Sequence, residues 1–182
     1  MSASNKPSAV IQRYVDYLNL VINSTISQSR LTAVVFTSAY RLIARFQNQE
    51  LLPLELSPSG WLHFQQFVRP VGSHVEVTSA KYVFSCSLSP DDEKAWLFRY
   101  DYNREPPPNT PQCHMHVNAA CRGKSLSRLH FPTERVSVEH VIAFLIQELG
   151  ITCCHEDPIG FLGESYRGWI ERRAHHETCV FP

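Results

Sequence analysis

The chain has 182 residues, the length of one domain, and at that size roughly 70% of the unfolded surface can be hidden without disulfides or metal. Apolar residues make up 43% and aromatics 11%, a globular composition, while 17 basic residues balance 17 acidic ones and exclude a uniformly basic nucleic-acid coat or an acidic tail. Twelve prolines, seven glycines and no Walker or dinucleotide-binding glycine pattern argue against an NTPase or a Rossmann enzyme.

The first 30 residues suggest a helix. Val10, Ile11, Tyr14, Val15, Leu18, Val21 and Ile22 recur at three- and four-residue steps, with Ser8 as a candidate cap and an end near Ser27. Arg13 and Asp16 interrupt that stripe and no basic leader precedes it, so it does not read as an export signal. No segment reaches the roughly 18 uninterrupted apolar residues of a membrane span. Cys86, Cys113, Cys121, Cys153, Cys154 and Cys179 lack the spacing of a disulfide scaffold. Reduced thiols, a cytoplasmic location and no membrane partner are the expectation.

Residues 31–131 read as a meander of strands. Residues 31–36 are apolar and β-branched, and residues 41–46 and 51–56 flank a polar turn as a hairpin, with Pro53 marking an edge or an early end. A turn at Ser57 to Gly60 leads to an aromatic strand over 61–68. Residues 81–88 and 95–102 form the strongest pair, across a charged turn at 89–94. Alternation places Trp96, Phe98, Tyr100 and Tyr102 on one face, where an aromatic stripe is core rather than a base-stacking platform, and Leu97, Arg99 and Asp101 on the other. A proline-rich loop over 105–111 feeds a strand at Cys113 to Val117, and residues 127–131 read as a further short strand. Two helices close the chain within 137–174. The first is capped by Ser137 with His140 at the capping-box position and stopped by Gly150; the second covers about 159–174. The whole reads as a single α+β domain, 1–182, with a mainly antiparallel curved sheet and helices packed on one face.

The densest polar constellation is Cys113-His114-Met115-His116, followed by Cys121, Arg122, Lys124, Arg128 and His130. In a strand, His114 and His116 share one face. Two imidazoles one strand-step apart can divide the acid and base roles of proton transfer. Arg122, Lys124 and Arg128 would meet a phosphate there. Should the Arg99–Asp101 face coincide with the histidine face, Asp101 would hold one imidazole in its tautomer and Arg99 would stabilise charge on a phosphorane. A metal site would instead need a third ligand, and His130 or Cys121 could supply it for zinc or manganese, although the spacing matches no zinc-finger pattern. The plainer readings are a polar sheet surface for the histidines and a surface ion pair for Arg99–Asp101. Cys153-Cys154-His155 holds ligand types but follows a helix stop, and His175-His176 reads as a solvated helix end.

Trp96-Leu-Phe-Arg-Tyr-Asp101, a proline-containing linker, Cys113-His-Met-His-Val117 and an apolar helix from about Val138 together resemble the TumE-type toxin family of bacterial toxin–antitoxin modules. The resemblance spans roughly residues 80–146, a little over a third of the chain. His114 and His116 match the last two histidines of the family's His-His-x-His strand, and Arg99 and Asp101 match its Arg and Asp. Cys113 stands where the family more often carries its first histidine. The resemblance implies a toxin-like effector directed at nucleic acid.

These readings converge on a toxin-like, metal-independent ribonuclease with His114, His116, Arg99 and Asp101 as catalytic residues. Arg122, Lys124 and Arg128 would contact nucleic acid, and an antitoxin or immunity-type protein would be the partner. The alternatives are a non-catalytic interaction subunit, favoured by an exposed apolar face on the first helix, and a metal-dependent hydrolase with His114, His116 and His130 as ligands.

Overall fold

The computed structural model describes residues 7–37, 40–48, 50–58, 60–86, 95–121 and 124–174. Helix α1 (Ala9–Asn23) starts at Ser8, whose hydroxyl accepts from the Ile11 amide. Its stripe of Ile11, Tyr14, Val15, Leu18, Val21 and Ile22 is buried, as the spacing predicts. The helix ends four residues before Ser27, because serine and threonine hydroxyls compete with the backbone there. Thr25 Oγ1 donates to the Val21 carbonyl at 2.6 Å.

Strands β1 (Thr32–Thr37), β2 (Tyr40–Gln47), β5 (Trp61–Val71), β6 (His74–Ser85), β7 (Trp96–Asn103), β8 (Cys113–Val117) and β11 (Phe131–Pro132) lie side by side in that order, every pair antiparallel. The short β3 (Glu50–Leu52) pairs with β2, and β4 (Leu54–Glu55) pairs with β5. Pro53 separates these two, because it has no N–H to give to a ladder. A separate two-stranded ribbon joins β9 (Ala120–Cys121) to β10 (Lys124–Ser125). Helices α2 (Val138–Gln147) and α3 (Pro158–Ala174) complete the α+β fold.

Two strand expectations need correction. β6 begins at His74, seven residues before the predicted start, and pairs with β5 in the longest hairpin of the sheet. Its turn is Gly72-Ser73, with Gly72 at φ +58°, a conformation that glycine adopts without strain. The turn expected at residues 89–94 lies outside the described residues. Residues 127–130 do not form a strand. Ser125 Oγ accepts from the Ser127 amide and the Leu129 amide bonds the Leu126 carbonyl, so the backbone is captured in a turn and only Phe131–Pro132 pairs with β8.

The core lies between one face of the sheet and the helices. Leu62, Phe64, Tyr82, Phe84, Phe98, Tyr100 and Tyr102 point into it from the strands. Leu18, Ile22, Ile142 and Leu145 meet them from α1 and α2. The Ser137–His140 capping box starts α2 as predicted, and Gly150 (φ +66°) follows its end. Trp169 of α3 packs on Tyr14 and Tyr17 of α1, with ring centroids 5.1 and 5.5 Å apart. The Tyr17 hydroxyl donates to the buried Glu139 carboxylate, tying α1 to α2.

Polar groups inside this layer are matched in pairs. Tyr14 donates to Gln66 Oε1 at 2.8 Å and Gln66 Nε2 donates to the Tyr82 hydroxyl at 2.6 Å, a chain from α1 through β5 to β6. Asn19, 8% exposed, makes a two-bond tether. Its amide donates to the Leu31 carbonyl at 3.0 Å and its Oδ1 accepts from the Leu31 amide at 2.7 Å, fixing where β1 leaves the helix layer. An Asn19→Ala chain is expected to lose about 1–3 kcal/mol for each backbone group of Leu31 left unpaired. Urea unfolding monitored by circular dichroism measures that loss, and an unchanged midpoint would contradict it.

Candidate functional site

The site sits on the sheet face opposite the helices. In β7 the buried Phe98, Tyr100 and Tyr102 alternate with Arg99 and Asp101, which point the other way. The β7–β8 ladder places Asp101 directly opposite His114 and Arg99 directly opposite His116. Residues directly opposite in a ladder share a face, so the two pairs expected from the sequence stand together. Lys81 on β6 is opposite Asp101 from the other side and adds a cation that the sequence reading did not single out. Only the strand register identifies it.

His114 and His116 are 6% and 3% exposed. The segment that returns from β10 to β11 crosses above them and brings His130 onto both rings. The His130 ring stacks on His114 with centroids 4.5 Å apart and meets His116 edge-on at 4.7 Å; His114 and His116 are 5.0 Å apart. One nitrogen from each of the three lies within 4.8 Å of those of the other two. The third imidazole weighed from the sequence thus joins the pair, although its own residue is in a loop rather than in the predicted strand.

The orientation of two rings is set by backbone carbonyls. His114 Nδ1 lies 2.9 Å from the Pro111 carbonyl and His116 Nδ1 3.1 Å from the Ser127 carbonyl. A carbonyl oxygen only accepts, so both rings carry a proton on Nδ1, and the neutral form of each presents its Nε2 lone pair inward. Asp101 Oδ2 lies 3.7 Å from His114 Nε2 and 3.5 Å from His116 Nε2, and accepts from Arg99 Nε at 2.7 Å. His116 Nε2 is buried and makes no hydrogen bond. Burial, and next the Arg99 guanidinium, push the His116 imidazole below the usual histidine range and favour its neutral form.

The remaining expected residues divide. Arg128 is exposed in the turn beside the histidines. Arg122 lies outside the described residues, and of Lys124 only the backbone, in β10, is described. Cys153 and Cys154 act locally: Cys153 Sγ accepts from the His155 amide, and the Cys154 thiol caps the Thr25 carbonyl at 3.3 Å. His175 and His176 also lie outside the described residues. Among those residues, no helix is long and apolar enough to cross a membrane.

Searches of family models, curated proteins and solved structures return no match to this chain.

The hydrogen-bond pattern makes a direct claim about tautomers. Two-bond proton–nitrogen NMR spectra of chelator-treated protein near neutral pH are expected to show His114 and His116 protonated at Nδ1. A proton on Nε2 of either ring would contradict the assignment.

Proposed function

We propose that this protein is a toxin-like effector that cleaves phosphodiester bonds of nucleic acid, RNA in the first instance, on its histidine face. One observation carries the reading: the β7–β8 register sets a guanidinium, a carboxylate and two imidazoles on one side of the sheet. Phosphodiester cleavage needs such a set. An attacking oxygen must be activated, a leaving oxygen must be stabilised, and charge accumulating on phosphorus must be met by fixed donors.

Arg99 suits the last role, because its Nε is held by Asp101 and its planar fork is thereby aimed before substrate arrives. Lys81, across the ladder from Asp101, and the exposed Arg128 add positive charge along the same face. Asp101 is a positioning residue for Arg99, while the Pro111 and Ser127 carbonyls, not Asp101, orient the imidazoles. With no net charge on the chain, attraction to nucleic acid has to come from this local pattern. A protein that covered the face would silence the effector, which is the part an antitoxin or immunity-type partner would play.

The competing reading of a non-catalytic interaction subunit draws on exposed apolar surface along the first helix. In α1 the apolar stripe is turned into the core, and Leu20 is the large apolar residue left at its surface.

Expression of the chain in bacteria is expected to arrest growth and degrade total RNA, and the purified chain to cleave RNA directly. The His114→Ala/His116→Ala double variant should abolish both effects. Since those rings are buried, Arg99→Ala offers a second handle at a partly exposed position, with cleavage reduced by about 100-fold or more. Intact RNA after incubation with folded protein, or cleavage equal in all three chains, would overturn the reading.

A further inference from the structure

We infer that His114, His116 and His130 together bind one divalent transition-metal ion of the zinc class, through three imidazole nitrogens. The inference shares residues with the proposed hydrolase but stands on the geometry of the rings alone.

In their neutral forms, two of the three rings turn acceptor atoms inward. His114 and His116 give their Nδ1 protons to the carbonyls of Pro111 and Ser127, so each directs a lone pair inward from Nε2. Asp101 Oδ2, itself an acceptor, lies 3.7 Å from His114 Nε2 and 3.5 Å from His116 Nε2. Asp101 Oδ2 takes its hydrogen bond from Arg99 Nε and has no proton to give to either ring, so neutral imidazole lone pairs directed at it meet only another acceptor. His116 Nε2 is the sharpest case, buried and without a hydrogen bond. A small cation among these atoms resolves the conflict, turning each lone pair into a ligand bond.

The outer arrangement is also that of a ligand set. Metal-bound histidines commonly donate the second ring nitrogen to a carbonyl or carboxylate, which fixes the ring and raises its basicity. Two of the three rings already do so. His130 completes the triangle, with a nitrogen of each ring within 4.8 Å of the others, a spacing that small side-chain rotations of the exposed His130 can close. Three imidazoles favour zinc, copper, nickel or iron over magnesium, calcium and manganese, which prefer oxygen. Three protein ligands rather than four leave one position for water or substrate, the pattern of a reactive zinc site instead of a structural one.

If the hydrolase reading also holds, cleavage becomes metal-dependent, because nitrogens used as ligands cannot shuttle protons. A bound ion of this class would supply acidified water near neutral pH. Asp101 and Arg99 then keep their places beside it.

The test uses the untagged full chain, stripped with chelator and dialysed against zinc, with bound metal measured by mass spectrometry and with cobalt as an absorbing substitute. One equivalent of zinc and cobalt bands typical of low coordination number are expected. His130→Ala removes an exposed ring and should leave the circular dichroism spectrum unchanged while weakening zinc binding at least about tenfold. His114→Gln should abolish uptake. Absence of stoichiometric uptake by the folded chain would overturn the inference. So would uptake undiminished by His130→Ala, which would place the ion on other side chains such as Cys153, Cys154 or His155. RNA cleavage is measured on the same samples: cleavage without zinc uptake removes the metal site and leaves the hydrolase, whereas uptake without cleavage does the reverse.

Discussion

Everything at the histidine face depends on the pairing of β7 with β8. Five cross-strand partners, from Phe98 opposite Val117 to Tyr102 opposite Cys113, decide which side chains of β8 look toward the helices and which look away. A slip of one residue would turn His114 and His116 into the core and bring Cys113 and Met115 out beside Arg99 and Asp101. Two features hold the register. Tyr100 and Tyr102 are buried on the helix side, and Cys113 is buried with them. Beyond the end of the ladder, the Asn103 amide bonds the Gln112 carbonyl at 2.9 Å. The apolar face of β7 therefore places the polar one. The aromatic stripe that takes no part in chemistry is what aligns the groups that can.

The burial of the imidazoles has a different origin. Strand alternation turns His114 and His116 away from the core, yet both end up nearly as enclosed as core residues. The enclosing atoms come from the turn at Ser127 and from His130, a segment whose serines hold it close to β8 instead of extending as a full strand. The site is thus a two-layer object: a flat ladder that fixes spacing, and a short cap that removes water. Enclosing the imidazoles strengthens what they feel of the Asp101 carboxylate and Arg99 guanidinium, which themselves stay partly exposed.

Much of this was legible in the sequence, for identifiable reasons. The helical stripe from Val10 to Ile22, the capping box at Ser137 and the alternation of Trp96 to Tyr102 are local patterns whose period states which face is apolar, and all three appear in the structure. Pro53 broke the strand where a missing N–H requires it. The hairpin turn at Gly72-Ser73 carried a signal that was there to be read: a glycine followed by a small polar residue between alternating segments. The shape of residues 127–130 was harder. Arg128, Leu129 and His130 alternate like a strand, but the hydroxyls of Ser125 and Ser127 and the Leu129–Leu126 backbone bond close the segment into a turn. Partners such as Lys81 and the carbonyls of Pro111 and Ser127 are set by register and loop closure, and no single-residue pattern announces them.

The two carbonyl anchors couple the site to parts of the chain outside the packed layer. Pro111 ends the proline-rich loop before β8 and Ser127 lies in the turn after β10, so neither anchor belongs to the packed layer of α1, α2 and the central strands. Local opening of either loop would free one imidazole to rotate and change tautomer while the core stays folded. The chemical state of each ring is therefore tied to its own loop as well as to global stability. Two substitutions of equal cost to the fold can then differ widely in their effect on the site, according to whether they loosen the core or only one of these loops.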